Sequence, residues 1–206
     1  MRVLGKRSFT RKLKSVLSTL GGTQASQLLE FAVALPLLVV FVVGIFDFGN
    51  AFNFKQKLNN AVRDGARFGS SLPTNDLSLA GACGAPSSVC AIRDLVDSNL
   101  QAGRVNDCGL ATQSATGPAP PSTWTYSATG SGCPGTLTLT IERQYSFLET
   151  VTVGAGSTNI NVISTRVRIS YPYKWRFNRV IQFLAPGASY AGVTQIATDA
   201  VAPNMD

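Results

Sequence analysis

The chain contains no histidine. The commonest general base at neutral pH and the commonest metal-binding imidazole are therefore both missing. No phosphate-cradling glycine loop occurs, and no two cysteines stand in a C-x-x-C spacing, which leaves no zinc signature. Acidic residues are absent before Glu30, and cysteines are absent before Cys83. The acids that follow are scattered; Asp94 and Asp97 lie three apart on a short predicted helix and read as a solvated face. These absences exclude the common hydrolytic and metal-dependent chemistries. The chain is read as a non-enzyme with no cofactor and no metal.

Charge is unevenly spread. Before residue 26 stand Arg2, Lys6, Arg7, Arg11, Lys12 and Lys14, with no acid to balance them. Residues 55–206 carry 12 basic and 9 acidic groups, so the surplus of +7 is mostly an N-terminal patch. Nucleic acid is therefore not expected as a partner. Basic residues ahead of an apolar run place the N-terminus in the cytoplasm and the bulk of the chain outside the cytoplasmic membrane.

That run is uncharged over residues 31–46. Sixteen residues of helix cover roughly 24 Å, short of a ~30 Å hydrocarbon core, but 28–54 covers roughly 40 Å and spans easily if Glu30 and Asp47 sit near the two interfaces. A small-x-small sequence at Gly49-Asn50-Ala51 offers the alternative of a cleaved signal peptide. Against it, the helical pattern continues to about Ser70 without proline. Ala61, Gly65 and Gly69 recur at i, i+4, i+8 as a small-residue packing stripe, flanked by Leu58, Val62 and Ala66, with Asn59, Arg63 and Arg67 as a polar stripe beside it. One helix is predicted from about Ser26 to Ser70. Pro36 interrupts its hydrogen bond to Ala32 and should kink or loosen it locally.

The order Leu29-Glu30-Phe31-Ala32, Ala34-Leu35-Pro36, Phe48-Gly49 and Ala61-x-Arg63-x-Gly65-Ala66-Arg67 resembles the TadE-like family, pilin-like (pseudopilin) proteins of tight-adherence, or Flp, type IV pilus systems. The likeness is strong over residues 24–70 and weak at the chain's end, where Tyr171-Pro172-Tyr173 precedes an apolar loop and a final strand. It implies cleavage by a prepilin peptidase between Ala25 and Ser26, although such peptidases usually cut after glycine. Glu30 would then be the fifth mature residue, four along from the new Ser26 amine on one helix face. Its carboxylate would pair with that amine, within the chain or between subunits, as a registry device for assembly. The other reading of Glu30 is an interfacial charge that snorkels to the headgroups. Implied partners are the prepilin peptidase, other pilin or pseudopilin subunits, the inner-membrane assembly platform and the lipid bilayer.

Three regions follow: a basic cytoplasmic leader at 1–25, a transmembrane and extended helix at 26–70, and an extracytoplasmic head at 71–206. The head reads as α+β. Residues 88–102 form a short amphipathic helix capped by Ser87 or Ser88 and ended by Gly103; 112–122, with three prolines, reads as an exposed loop. Strands are expected at 123–127, 136–142, 160–171 and 192–201, an antiparallel sheet of about four, with a turn at 154–158. Four cysteines on one side of a membrane segment suggest disulfides in an oxidising compartment. Of three pairings, Cys83–Cys90 and Cys108–Cys133 are favoured because each closes a short or flexible loop.

The basic–aromatic stretch 171–179, YPYKWRFNR, reads as a strand end whose aromatics pack on the core, or as a membrane-facing rim. Binding of acidic polysaccharide, lipid headgroups or single-stranded nucleic acid is the sharper alternative. The function expected is a membrane-anchored minor pilin or pseudopilin in pilus biogenesis and adhesion. The alternative is an extracytoplasmic adhesin or ligand-binding domain on a single-pass anchor.

Overall fold

A computed structural model describes residues 23–79, 81–130, 132–154, 156–177, 187 and 192–205. The leader before residue 23 lies outside them, as do Asn178 and Arg179. A 48-residue helix, α1 (Thr23–Ser70), runs through Pro36 without a break. It is followed by α2 (Ser87–Ala102), a 3-10 turn (Leu110–Thr112) and five strands: β1 (Thr116–Ala119), β2 (Thr123–Ala128), β3 (Leu137–Val153), β4 (Gly156–Lys174) and β5 (Val193–Pro203). The sheet is an antiparallel meander in chain order, β1-β2-β3-β4-β5. The fold is α+β.

The described residues form two compact units. One contains 23–47 with Phe177 and Gly187. Within it Asp47 is buried, and its Oδ2 accepts the Phe177 backbone N–H at 2.8 Å. The carboxylate expected at an interface thus has a partner within the chain. The other unit contains the remaining described residues and holds the core. Leu58, Ala61, Val62 and Ala66 of α1 are buried there with Val89, Ile92, Val96 and Leu100 of α2. The inward side chains of the sheet complete it: Trp124 and Tyr126, Leu137, Leu139 and Ile141, then Val167 and Ile169. Alternation at period two selects these sheet residues, and the i, i+4 spacing selects the helical ones.

The sheet has one strand more than the sequence suggests. β1 lies inside the stretch read as a loop, and pairs Thr116 with Thr125 and Ala119 with Thr123. Gly117 permits it. Its φ is +144°, and a methyl at that position would stand 2.6 Å from the Thr123 carbonyl oxygen. β3 and β4 also run past their neighbours. From Ser146↔Ile163 to Val153↔Gly156 they pair only with each other, as a two-stranded arm beyond a bulge between Glu142 and Tyr145.

The start of α2 is capped differently from the expectation. Pro86 occupies the cap position, and Asp76, from the preceding loop, accepts both the Ser88 N–H (2.8 Å) and the Ser88 hydroxyl (2.9 Å). A carboxylate at a helix N-terminus is favoured by the helix dipole. At the other end Gly103 stays right-handed, and it is Arg104 that takes the left-handed conformation (φ 55°). The Arg104 N–H bonds to Gln101 O and the Val105 N–H to Leu100 O, with Val105 and Leu100 both buried. This is a Schellman ending with arginine where glycine is usual.

Asp97 departs from the solvated face read for it. It is buried, and Gln101 donates to its Oδ2 at 2.7 Å. Burial first, then the charge of Asp107, pushes its carboxyl up from 3.8 to about 6. The folded state therefore holds a proton that the unfolded chain releases, and this group stabilises the fold as pH falls from above 6 toward 4. Asp97→Asn is expected to add about 1–3 kcal/mol at pH 7 and to flatten that dependence, read as denaturation midpoints at pH 4, 5, 6 and 7.

Candidate functional site

The apolar half of α1 presents itself outward. Leu28, Phe31, Val33, Leu37 and Ile45 are each more than 60% exposed. Among the described residues this is the one helix long and apolar enough to cross a membrane. Ser26 and Glu30 are exposed on it, four residues apart in the same helix; Ala25 lies in the helix backbone. Pro36 lies about 1.7 turns beyond Glu30.

The small-residue stripe sits where three elements meet. A methyl on Gly65 would stand 2.8 Å from Val96 Cγ2 of α2 and 3.7 Å from Val167 Cγ1 of β4. A methyl on Gly69 would stand 2.7 Å from Thr165 Cγ2 and 2.8 Å from Ile92 Cδ1. Ala61 is buried on the same line. Glycine here lets α1 approach α2 and the sheet together.

One residue that the sequence reading passed over fixes the end of α1. Arg143, wholly buried on β3, donates from Nη1 to the Gly69 carbonyl and to Thr165 Oγ1, and from Nη2 to the Leu72 and Pro73 carbonyls. The Met205 N–H takes the Ser70 carbonyl, and Asn204 bridges Thr165 Oγ1 and the Arg143 carbonyl. The last carbonyls of α1, at Gly69 and Ser70, are thus taken up by a guanidinium and by the Met205 backbone. The signal was present in the sequence: Arg143 continues the inward parity of Leu137, Leu139 and Ile141.

Both disulfides tie loops to α2 or its exit. Cys83–Cys90 (Cα–Cα 5.9 Å) joins the preceding loop to its first turn, and Cys108–Cys133 (5.6 Å) joins the segment after it to the β2–β3 loop. Bonds closing such loops add about 2–4 kcal/mol each to a small head.

The basic–aromatic stretch is ordered by α1. Phe54 packs on Tyr171 (4.7 Å between centroids) and Tyr173 (5.5 Å), Tyr173 on Trp175 (5.2 Å), and Trp175 on Phe48 (5.3 Å). Lys174 and Arg176 remain exposed between them. Among the described residues no group of three acidic, cysteine or histidine side chains is placed to hold a metal ion.

A long helix with an outward apolar face and a disulfide-bonded α+β unit are what the described residues define. Residues 25–67 match the family described as TadE-like protein, the family whose motifs the sequence resembles. The match covers most of α1 and ends before α2. No curated protein and no solved structure matches the chain.

Proposed function

We propose that the protein is a minor pilin or pseudopilin of a tight-adherence pilus system, anchored in the inner membrane with its N-terminus inside and its head outside. In this reading 1–25 is the leader, 26–70 the rod and 71–206 the head. A prepilin peptidase removes the leader between Ala25 and Ser26, and the rod then associates with other pilin or pseudopilin helices at the inner-membrane assembly platform. Its mechanism is association and not catalysis. The observation that carries the reading is the outward apolar face from Leu28 to Ile45, interrupted only by Glu30 at its cytoplasmic end. Among the described residues nothing covers that face, which supports contact with lipid or neighbouring helices.

Glu30 is the registry group. In lipid an isolated carboxylate is costly, and pairing with a Ser26 amine offsets part of the desolvation of both. Glu30→Ala is expected to leave the protein in the membrane fraction and to lower assembled pili at least tenfold. Shearing and immunoblotting of surface pili, beside membrane fractionation, read both quantities. Unchanged pilus yield with unchanged insertion would end the registry role. Intact mass of the membrane-extracted protein tests processing: loss of 1–25 supports the peptidase cut, loss of 1–51 a secreted domain, and full length a plain anchor.

A further inference from the structure

Four basic side chains converge on one pocket that holds no acid among the described residues. Lys57 of α1, Arg104 after α2, and Lys174 and Arg176 at the end of β4 line a pocket of about 350 Å³, with Asn50, Asn53, Phe54 and Tyr173. No carboxylate among the described residues lines it. Among the described residues none of the four cations forms an ion pair, and the segment 178–191 carries no acid. Like charges brought together in this way repel unless an anion separates them.

Arg104 gives a second, independent indication. It occupies the left-handed position of a Schellman ending, which a non-glycine residue adopts only under strain. Glycine would close the helix better. The strained residue instead delivers a guanidinium to the pocket, and stored strain of this kind gathers at binding sites.

The surroundings select the ligand. Asn50, Asn53, Phe54 and Lys57 form one face of α1 at i, i+3, i+4, i+7. The neighbouring face, Phe48, Ala51, Phe52 and Lys55, lines a mainly apolar groove of about 560 Å³ with Trp175 and Ile196. A cationic pocket and an apolar groove therefore flank the same strand end, a few residues past the apolar run of α1. An amphiphile with an anionic head fits both; an inorganic ion fits only one. Arginine and lysine beside tyrosine and tryptophan are the side chains that bind phospholipid headgroups at an interface.

We propose that this pocket binds the phosphate of an anionic phospholipid, whose acyl chain lies along the Phe48–Phe52 groove. The inference rests on α1 being a membrane anchor, a point that fractionation of the full chain settles separately. The guanidiniums take phosphate oxygens in bidentate fashion, and the asparagine amides donate to the remaining ones.

The test uses the full-length protein in mild detergent, titrated with phosphatidylglycerol, with phosphatidylcholine and with inorganic phosphate, and read by native mass spectrometry. The expected result is about tenfold tighter retention of phosphatidylglycerol than of phosphatidylcholine, with no competition from millimolar phosphate. Arg104→Gly is expected to raise the melting temperature yet weaken phosphatidylglycerol binding by about tenfold. A merely structural arginine would not move the two readouts in opposite directions. Lys174→Gln, at an exposed position, is expected to weaken binding while leaving the melting temperature unchanged. Equal retention of the two lipids, displacement by free phosphate, or full binding by both variants would overturn the proposal.

Discussion

Arg143→Leu is expected to destabilise the head by about 3–5 kcal/mol, the range found when one partner of a buried charged network is removed. The guanidinium serves the Gly69, Leu72 and Pro73 carbonyls together with Thr165 Oγ1. Leucine fills much of its volume but takes the guanidinium from all three carbonyls, leaving Gly69 O with only the Leu72 N–H at 3.1 Å and the Leu72 and Pro73 carbonyls without their side-chain donor. Each such buried acceptor costs about 1–3 kcal/mol, and relaxation of the loop at 72–73 recovers part of the sum. Lysine does not substitute, because a single ammonium lacks the planar fork that reaches several acceptors at once. Chemical denaturation of the detergent-solubilised full chain, followed by tryptophan fluorescence, gives the difference. A loss below about 1 kcal/mol would show that the carbonyls find other donors.

Gly69→Ala is the second large effect, expected at about 2–3 kcal/mol. Alanine is the better helix former by about 1 kcal/mol, so intrinsic propensity points the other way. Packing wins because the added methyl meets Thr165 Cγ2 at 2.7 Å and Ile92 Cδ1 at 2.8 Å. Thr165 cannot turn aside, since its hydroxyl is bonded to both Arg143 and Asn204. Gly65→Ala meets only Val96 Cγ2 within 3.5 Å, on a side chain free of such bonds, and is expected to cost about 1 kcal/mol or less. Gly49→Ala, with nothing within 4 Å, is expected to be neutral or stabilising. Equal losses at Gly65 and Gly69 would refute this ranking. Because Gly69 and Arg143 share Thr165 as a neighbour, their combined loss is expected to fall short of additivity.

The parts of the fold that a period reveals were legible in the sequence. α1 and α2 follow from apolar residues at helical spacing, and β3 and β4 from alternation. What escaped depended on contacts between distant residues. β1 is short and proline-rich, and exists because Gly117 lets its backbone approach Thr123. The cap of α2 comes from Asp76, twelve residues before Ser88, and no local pattern announces it. Asp97 looked solvent-facing because its neighbour Asp94 is; the segment around Asp107 covers only one of them. In the pocket, Lys57, Arg104, Lys174 and Arg176 come from three separate elements, and only the Tyr171–Arg179 stretch hinted at it.

The way α1 ends also decides how the head answers to pulling. Leu58, Val62 and Ala66 grip the sheet along the helix, while Arg143 and Met205 hold its last carbonyls. A tug along the 58–70 stretch of α1 therefore loads this seam in shear, with its contacts sharing the tension, instead of unzipping it one contact after another. The rupture force of the head should accordingly exceed that of a hairpin peeled from its turn.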